Sequence, residues 1–122
     1  MIVLTVALAG GIGAVLRFVV DGVVARSHRW SLPLGTVVIN VTGSFLLGLV
    51  TGLALADPGL ADMRTVVGTG VLGGYTTFST ASVEAVNIAL TDGRRATLVA
   101  AGHATGMLVL SLAAGALGWW LA

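Results

Sequence analysis

Long apolar runs separated by short polar breaks dominate the pattern of this chain. Four runs reach the roughly 20 residues that a helix needs to cross a bilayer, at about residues 2–25, 34–56, 64–91 and 96–121. The breaks between them carry most of the arginines and aspartates and both prolines. The pattern therefore predicts an all-α membrane protein, with residues 1–122 forming a single domain of four transmembrane helices.

The composition agrees with a membrane protein. Hydrophobic residues make up 57% of the chain and charged residues only 9%, whereas soluble domains carry roughly a quarter charged residues. A net charge of +1 gives no basis for nucleic-acid binding, and two histidines without a cysteine argue against a structural zinc site. We recognise no cofactor motif and no catalytic triad, so we expect no enzymatic activity.

The arginines are divided unevenly between the two predicted sides of the membrane. Four spans place the breaks at 25–33 and 91–95 on one side, which then holds Arg26, Arg29, Arg94 and Arg95. The other side has both termini and the break at 56–64, with Arg64 alone. Because arginine-rich loops tend to stay in the cytoplasm, we predict that both termini lie outside.

The second predicted span carries a ridge of small and polar residues at every fourth position: Thr36, Asn40, Ser44, Gly48 and Gly52. Small residues at this spacing let helices pack closely within a membrane. Asn40 lies near mid-span, where an amide costs free energy unless it is hydrogen-bonded. Two roles stay open for Asn40, namely a bond across helices and the lining of a wet path.

Few ionisable side chains lie within the spans. Arg17 is four residues before Asp21, so the two share one helical face. This spacing favours a structural ion pair near the interface over a role in transport. His103, near the start of the last span, is interpreted as an interfacial or helix-contact group, with pore lining as the alternative.

The stretch "GTGVLGGYTTFSTASVE" at residues 68–84 interrupts the third span. Gly73 and Gly74, followed by residues of weak helix propensity, predict a helix that is broken near its middle. The glycines match G-x-G-x-x-G, but no βαβ unit surrounds them, so we reject a nucleotide site. Irregular backbone at membrane depth persists only when it is buried in protein or lines a cavity. Its freed carbonyls can hold a cation, and the new helix N-terminus favours an anion.

Hydroxyl groups and one carboxylate follow this break: Thr77, Ser79, Thr80, Ser82 and Glu84. Thr80, Glu84 and Asn87 share one helical face. Phe78 lies among the hydroxyls, and the positive edge of its ring can meet a poorly hydrated anion without offering a full countercharge. The segment is therefore a candidate path for an anion.

These motifs resemble the Fluc/CrcB family of fluoride channels. The likeness covers essentially the whole chain and rests on "GGIGAVLRF" (10–18), "TVVINVTGSFLLGL" (36–49) and the stretch at 68–84. It implies passive, selective export of fluoride across a bacterial plasma membrane, which lowers cytoplasmic fluoride. It also implies an antiparallel dual-topology dimer with two pores along the subunit interface.

The resemblance further implies roles for single residues. The fluoride path would involve Asn40, Phe78, Ser79, Thr80 and Glu84. The backbone carbonyls of Gly73 and Thr76, from both subunits, would hold a structural sodium ion. Arg17 would be a structural position near the pore mouth.

The chain departs from the family pattern at two positions. The family usually has a second aromatic residue three positions after the first, where this chain has Ala81. The family's tyrosine in the last span has no clear counterpart, although His103 and Met107 fall nearby. Together with the uneven arginines, these departures lead to the hypothesis of a heterodimer with an oppositely oriented paralogue. A homodimer is the alternative.

Two other functions compete with a fluoride channel. A small multidrug-resistance-type proton-coupled antiporter has a similar length and four spans, but it needs a membrane carboxylate in the first span. Here that span has only Asp21, near its end, while the deep carboxylate, Glu84, lies in the third. A non-transporting assembly subunit is the second alternative, and it predicts no fluoride flux.

Overall fold

A computed structural model of the chain describes residues 1–27, 32–91 and 93–122. Within these ranges the backbone is almost entirely helical and contains no strand. Helices α1 (Ile2–Ser27) and α2 (Leu34–Ala56) come first, followed by a short 3₁₀ turn at Pro58–Leu60. Three later helical segments complete the fold, namely α3 (residues 61–75), α4 (Phe78–Ala89) and α5 (Arg94–Leu121).

Among the described residues, three helices are long and apolar enough to cross a membrane: α1, α2 and α5. They correspond to the first, second and fourth predicted spans, so the prediction of an all-helical, multi-pass membrane protein is confirmed. His28, Arg29, Trp30 and Asp92 lie outside the described residues. The orientation drawn from the arginines therefore stays a prediction.

The predicted third span is divided between α3 and α4, which confirms the broken helix. Residues Arg64–Leu72 of α3 are wound as a π-helix, a form that is rare and frequent at functional sites. The break itself falls at Thr76 and Thr77, whose ψ angles of 159° and 121° are those of extended chain. Gly73 and Gly74 remain helical.

The long helices approach each other through small residues. Helix α5 packs along α2, and α3 packs along α1. A Cβ at Gly118 would collide with the carbonyl oxygen of Phe45, and one at Gly13 with the carbonyl oxygen of Val71. Close backbone packing of this kind is expected where lipid gives helices no hydrophobic reason to associate.

Gly13→Ala is expected to lower the stability of the protein by about 1–3 kcal/mol, because overpacking forces the α1 and α3 backbones apart. Gly11→Ala is the matched control on the same helix, since a Cβ there meets nothing within 4 Å. Thermal unfolding of both variants in detergent measures the difference. Equal midpoints for the two variants would contradict the close packing of α1 on α3.

Candidate functional site

The break between α3 and α4 is held by the side chain of Asn40 on α2. The Nδ2 of Asn40 donates to the carbonyl of Thr77 at 2.9 Å, and its Oδ1 accepts from the amide of Thr77 at 2.8 Å. The side-chain amide of Asn40 therefore forms hydrogen bonds with both the backbone N–H and the backbone carbonyl of Thr77. Of the two roles that stayed open for Asn40, the bond across helices is present.

These two hydrogen bonds between Asn40 and Thr77, here called the clamp, leave carbonyl groups on the α3 side of the break without their helical donors. In a continuous helix the amide of Thr77 would donate to the carbonyl of Gly73, but it donates to Asn40 instead. The amide of Thr80 would donate to the carbonyl of Thr76, but it donates to the Oγ1 of Thr77 at 3.2 Å. Gly73 and Thr76, the two predicted cation ligands, are thus among the residues whose carbonyls lose their usual helical partners.

Arg17 contacts this same backbone. Its Nη1 donates to the carbonyl of Thr76 at 3.3 Å, which places a positive charge beside the break. Asp21 lies against the backbone of Gly35 at the start of α2. Within the described residues, Arg17 and Asp21 form no ion pair with each other, and each side chain contacts another segment instead.

A cavity of about 500 Å³ lies beside the break, between α2, α4 and α5. Its wall includes Asn40 and Phe78. The second role of Asn40, the lining of a wet path, stays a prediction. The hydroxyl-bearing residues of the wall are Ser44, Thr76, Thr77, Ser82, Thr105 and Ser111. The side chain of Phe78 is 87% exposed in the single chain, so the cavity opens outward past its ring.

Ala81, which departs from the family pattern, and Met107, one of the two residues near the missing tyrosine, meet in this cavity. Ala81 and Met107 both line it, and each is 7% exposed. The sulfur of Met107 accepts from the Nδ2 of Asn40 at 3.5 Å. The wall therefore has a small side chain at Ala81, where the family pattern has an aromatic ring, together with the flexible thioether of Met107.

The remaining predicted path residues lie on other faces of α4. The hydroxyl of Thr77 donates to the Oγ1 of Thr80 at 3.0 Å and lies 3.4 Å from the Oγ of Ser79. Glu84 points toward α2, where its Oε1 accepts from the hydroxyl of Thr36 at 2.6 Å. The structure thus joins Asn40 and Phe78 in the cavity and separates Ser79, Thr80 and Glu84 from its wall.

Sequence reasoning counted Thr77 among the hydroxyl groups of the candidate path but gave it no role of its own, although its backbone and side chain make most of the hydrogen bonds at the break. Its side chain caps α4 by accepting from the amide of Thr80, and a threonine directly before a helix is a known capping signal. Ser44 and Ser111 were also unassigned as wall residues. Their four-residue spacing to Gly48 and Gly115 was visible, but it indicates a packing ridge as readily as a cavity wall.

Within the described ranges, no group of three or more acidic or histidine side chains could hold a metal ion. A cation at the break would therefore depend on backbone carbonyl oxygens. Such oxygens suit a hard cation.

Comparison with known proteins adds an independent line of information. Residues 4–119 match the family described as CrcB-like protein, Camphor Resistance (CrcB). A fluoride-specific ion channel, FluC 1 of Leifsonia xyli, is 54% identical over 99% of this chain and 86% of its own length. FluC 2 of Cutibacterium acnes is 48% identical over 97% of this chain and 94% of its own. FluC 3 of Yersinia pestis is 40% identical over 98% of this chain and 95% of its own length.

Proposed function

Because this chain belongs to the CrcB-like family, we propose that it is a fluoride-selective channel of the bacterial plasma membrane. Fluoride would leave the cell passively, which lowers its cytoplasmic concentration. The observation that carries the proposal is the 54% identity to a fluoride-specific ion channel over 99% of the chain. The contact of Glu84 with Thr36 on α2 gives no support to the proton-coupled antiporter, which needs its carboxylate in the first span.

The proposed topology has four crossings, of which α3 and α4 together form the third. The length of the two segments supports this, since residues 61–75 and Phe78–Ala89 together contain more than the roughly 20 residues that a span needs. The clamp by Asn40 supports it as well, because backbone groups at a break within lipid must be satisfied inside the protein.

The proposed fluoride path passes the cavity at the break. The edge of the Phe78 ring carries partial positive charge, and the N-terminus of α4 offers unsatisfied amides and the positive end of a helix dipole. The hydroxyls of Ser79 and Thr80 would extend the path along α4, with Glu84 one turn further. An anion would exchange its water for ring edges and hydroxyls along this path.

The proposed cofactor is a structural sodium ion that is held by the carbonyls of Gly73 and Thr76. The carbonyl of Gly73 lacks its usual helical donor, and the carbonyl of Thr76 accepts one hydrogen bond from Arg17 but has a second lone pair. Carbonyl oxygens are suitable ligands for a hard cation. A bound sodium would add a fixed positive charge at the break. Two oxygens are too few for a hard cation, so the remainder would come from a second subunit.

The proposed assembly is an antiparallel dimer, with either a second copy or an oppositely oriented paralogue. Phe78 supports a partner at this face, because its side chain is 87% exposed at the mouth of the cavity. Ala81 supports the paralogue, since the ring that the family places there would have to come from another chain. Both termini of this chain would then lie outside and those of the paralogue inside.

Ala81→Phe is expected to raise fluoride efflux from liposomes that contain this chain alone. The new ring would enter the cavity and complete the pair of aromatic edges along the path. Ala85→Phe is the matched control, since Ala85 lines the same cavity one turn further along α4. Equal efflux in Ala81→Phe and wild type would mean that the missing ring does not limit conduction.

Expression in bacteria that lack their own fluoride exporter tests the proposed function in cells. We expect growth in fluoride to be restored by the wild-type chain together with its paralogue, and measurement of each chain alone then separates a heterodimer from a homodimer. Full rescue by this chain alone, with tagged copies in both orientations, would contradict the heterodimer. No rescue in any combination would favour the non-transporting subunit.

A further inference from the structure

Most side-chain protons in the cavity beside the break are already donated within the chain. The Nδ2 of Asn40 donates to the carbonyl of Thr77 at 2.9 Å and to the sulfur of Met107 at 3.5 Å. The hydroxyl of Ser82 donates to the carbonyl of Phe78 at 2.9 Å. A hydroxyl that has donated its proton presents only lone pairs, so it meets an anion with the wrong sign of charge.

The two threonines at the break are engaged in the same way. The hydroxyl of Thr76 donates to the carbonyl of Leu72 at 2.9 Å, and the hydroxyl of Thr77 donates to the Oγ1 of Thr80 at 3.0 Å. Within the described ranges, the wall hydroxyls whose protons have no acceptor are those of Ser44, Thr105 and Ser111. An anion in the cavity can therefore take a side-chain hydroxyl proton from α2 or α5, but not from α4.

A second cavity of about 540 Å³ continues along α2 and α5 toward Trp119. Ser44 and Ser111 line both cavities, so the two cavities meet at these serines. Thr51 lies two turns beyond Ser44 on the same face of α2 and lines the second cavity. The hydroxyl-bearing residues of α2 thus follow one another from the first cavity into the second.

The three unengaged hydroxyls differ in what they offer to an ion. The Oγ of Ser111 is fully buried between the helices, with no surface open to the cavities. Thr105 lines the first cavity but not the second. Ser44 is only half-buried, its Oγ is not among the fully buried atoms, and it stands where the cavities meet. Ser44 is therefore the donor best placed for an ion that moves between them.

We propose that Ser44 is a fluoride-binding residue, which donates its hydroxyl proton to the ion in the first cavity and passes it to the second. A hydrogen bond from a hydroxyl to an anion is charge-assisted, and it is stronger than one between neutral groups. Ser44 carries no charge of its own, so it binds the ion without a fixed countercharge. The proposal rests on the proposed fluoride channel, and it extends the path along α2 toward Trp119.

The test is fluoride efflux from liposomes that hold the conducting assembly. Ser44→Ala is expected to lower efflux about tenfold, because the ion loses one hydrogen bond to a charged acceptor. The unfolding midpoint in detergent is expected to stay at the wild-type value, since the hydroxyl of Ser44 has no hydrogen bond to lose in the described part of the chain.

Ser82→Ala is the matched control, with the same chemical change in the wall of the same cavity. The proton that it removes is already donated to the carbonyl of Phe78, so its efflux is expected to stay within about twofold of wild type. Wild-type efflux in Ser44→Ala would overturn the proposal, as would equal losses in the two variants. A clearly lower midpoint in Ser44→Ala would also overturn it, because the hydroxyl would then be bonded within the protein. Absent efflux in wild type would instead contradict the fluoride channel itself.

Discussion

Asn40→Ala is expected to abolish fluoride efflux and to lower the free energy of unfolding by about 2–5 kcal/mol. The substitution removes the partners of two backbone groups of Thr77 at once, and a buried group left unsatisfied costs about 1–3 kcal/mol. It also removes a polar group from the cavity wall. Efflux from liposomes and thermal unfolding in detergent measure the two effects.

The two effects of Asn40→Ala can be separated. Asn87→Ala makes the same chemical change at an exposed position of α4 and should leave stability within about 0.5 kcal/mol of wild type. Asn40→Asp keeps the oxygen that accepts from Thr77 but loses the donor, so an intermediate loss of stability is expected. Wild-type stability in Asn40→Ala would mean that the clamp does not hold the break.

Phe78→Ile is expected to reduce fluoride efflux to background while the protein still folds. An aliphatic side chain of similar bulk lacks the positive ring edge that would meet the anion in the proposed path. The exposed position of Phe78 leaves few contacts within the chain to lose, so the unfolding midpoint should change little. Efflux is compared at equal amounts of reconstituted protein.

Phe18→Ile is the matched control for Phe78→Ile. Phe18 lies on α1 with 81% of its side chain exposed, away from the residues of the cavity wall. It should conduct as wild type does, since nothing in the proposed path involves it. Unchanged efflux in Phe78→Ile would remove Phe78 from the path.

Much of this fold is readable from local sequence. The length of the apolar runs alone predicts α1, α2 and α5, because every transmembrane helix must match the thickness of the bilayer. The break in the third span is also local, since glycine and threonine are weak helix formers. The small residues of α2 predict close packing, although the partner helix is not encoded in their spacing.

The interactions that complete the site are long-range, and sequence spacing does not reveal them. Asn40 and Thr77 are 37 residues apart, and Arg17 and Thr76 are 59 apart. Local spacing pairs Arg17 with Asp21, but in the folded chain each of these side chains contacts another segment. The division of α4 residues between the cavity and other faces likewise depends on how α4 is rotated against α2 and α5, which periodicity alone leaves undetermined.

The central claim is that this chain forms a pore for fluoride, and ion-selective efflux from liposomes tests it most directly. Vesicles loaded with equal concentrations of fluoride and chloride receive the purified chain, alone and with the oppositely oriented paralogue proposed above, and both anions are followed with selective electrodes. We expect fluoride to leave rapidly and chloride to stay at the leak of protein-free vesicles. Equal loss of the two anions, or fluoride loss no faster than the leak in both assemblies, would contradict the account.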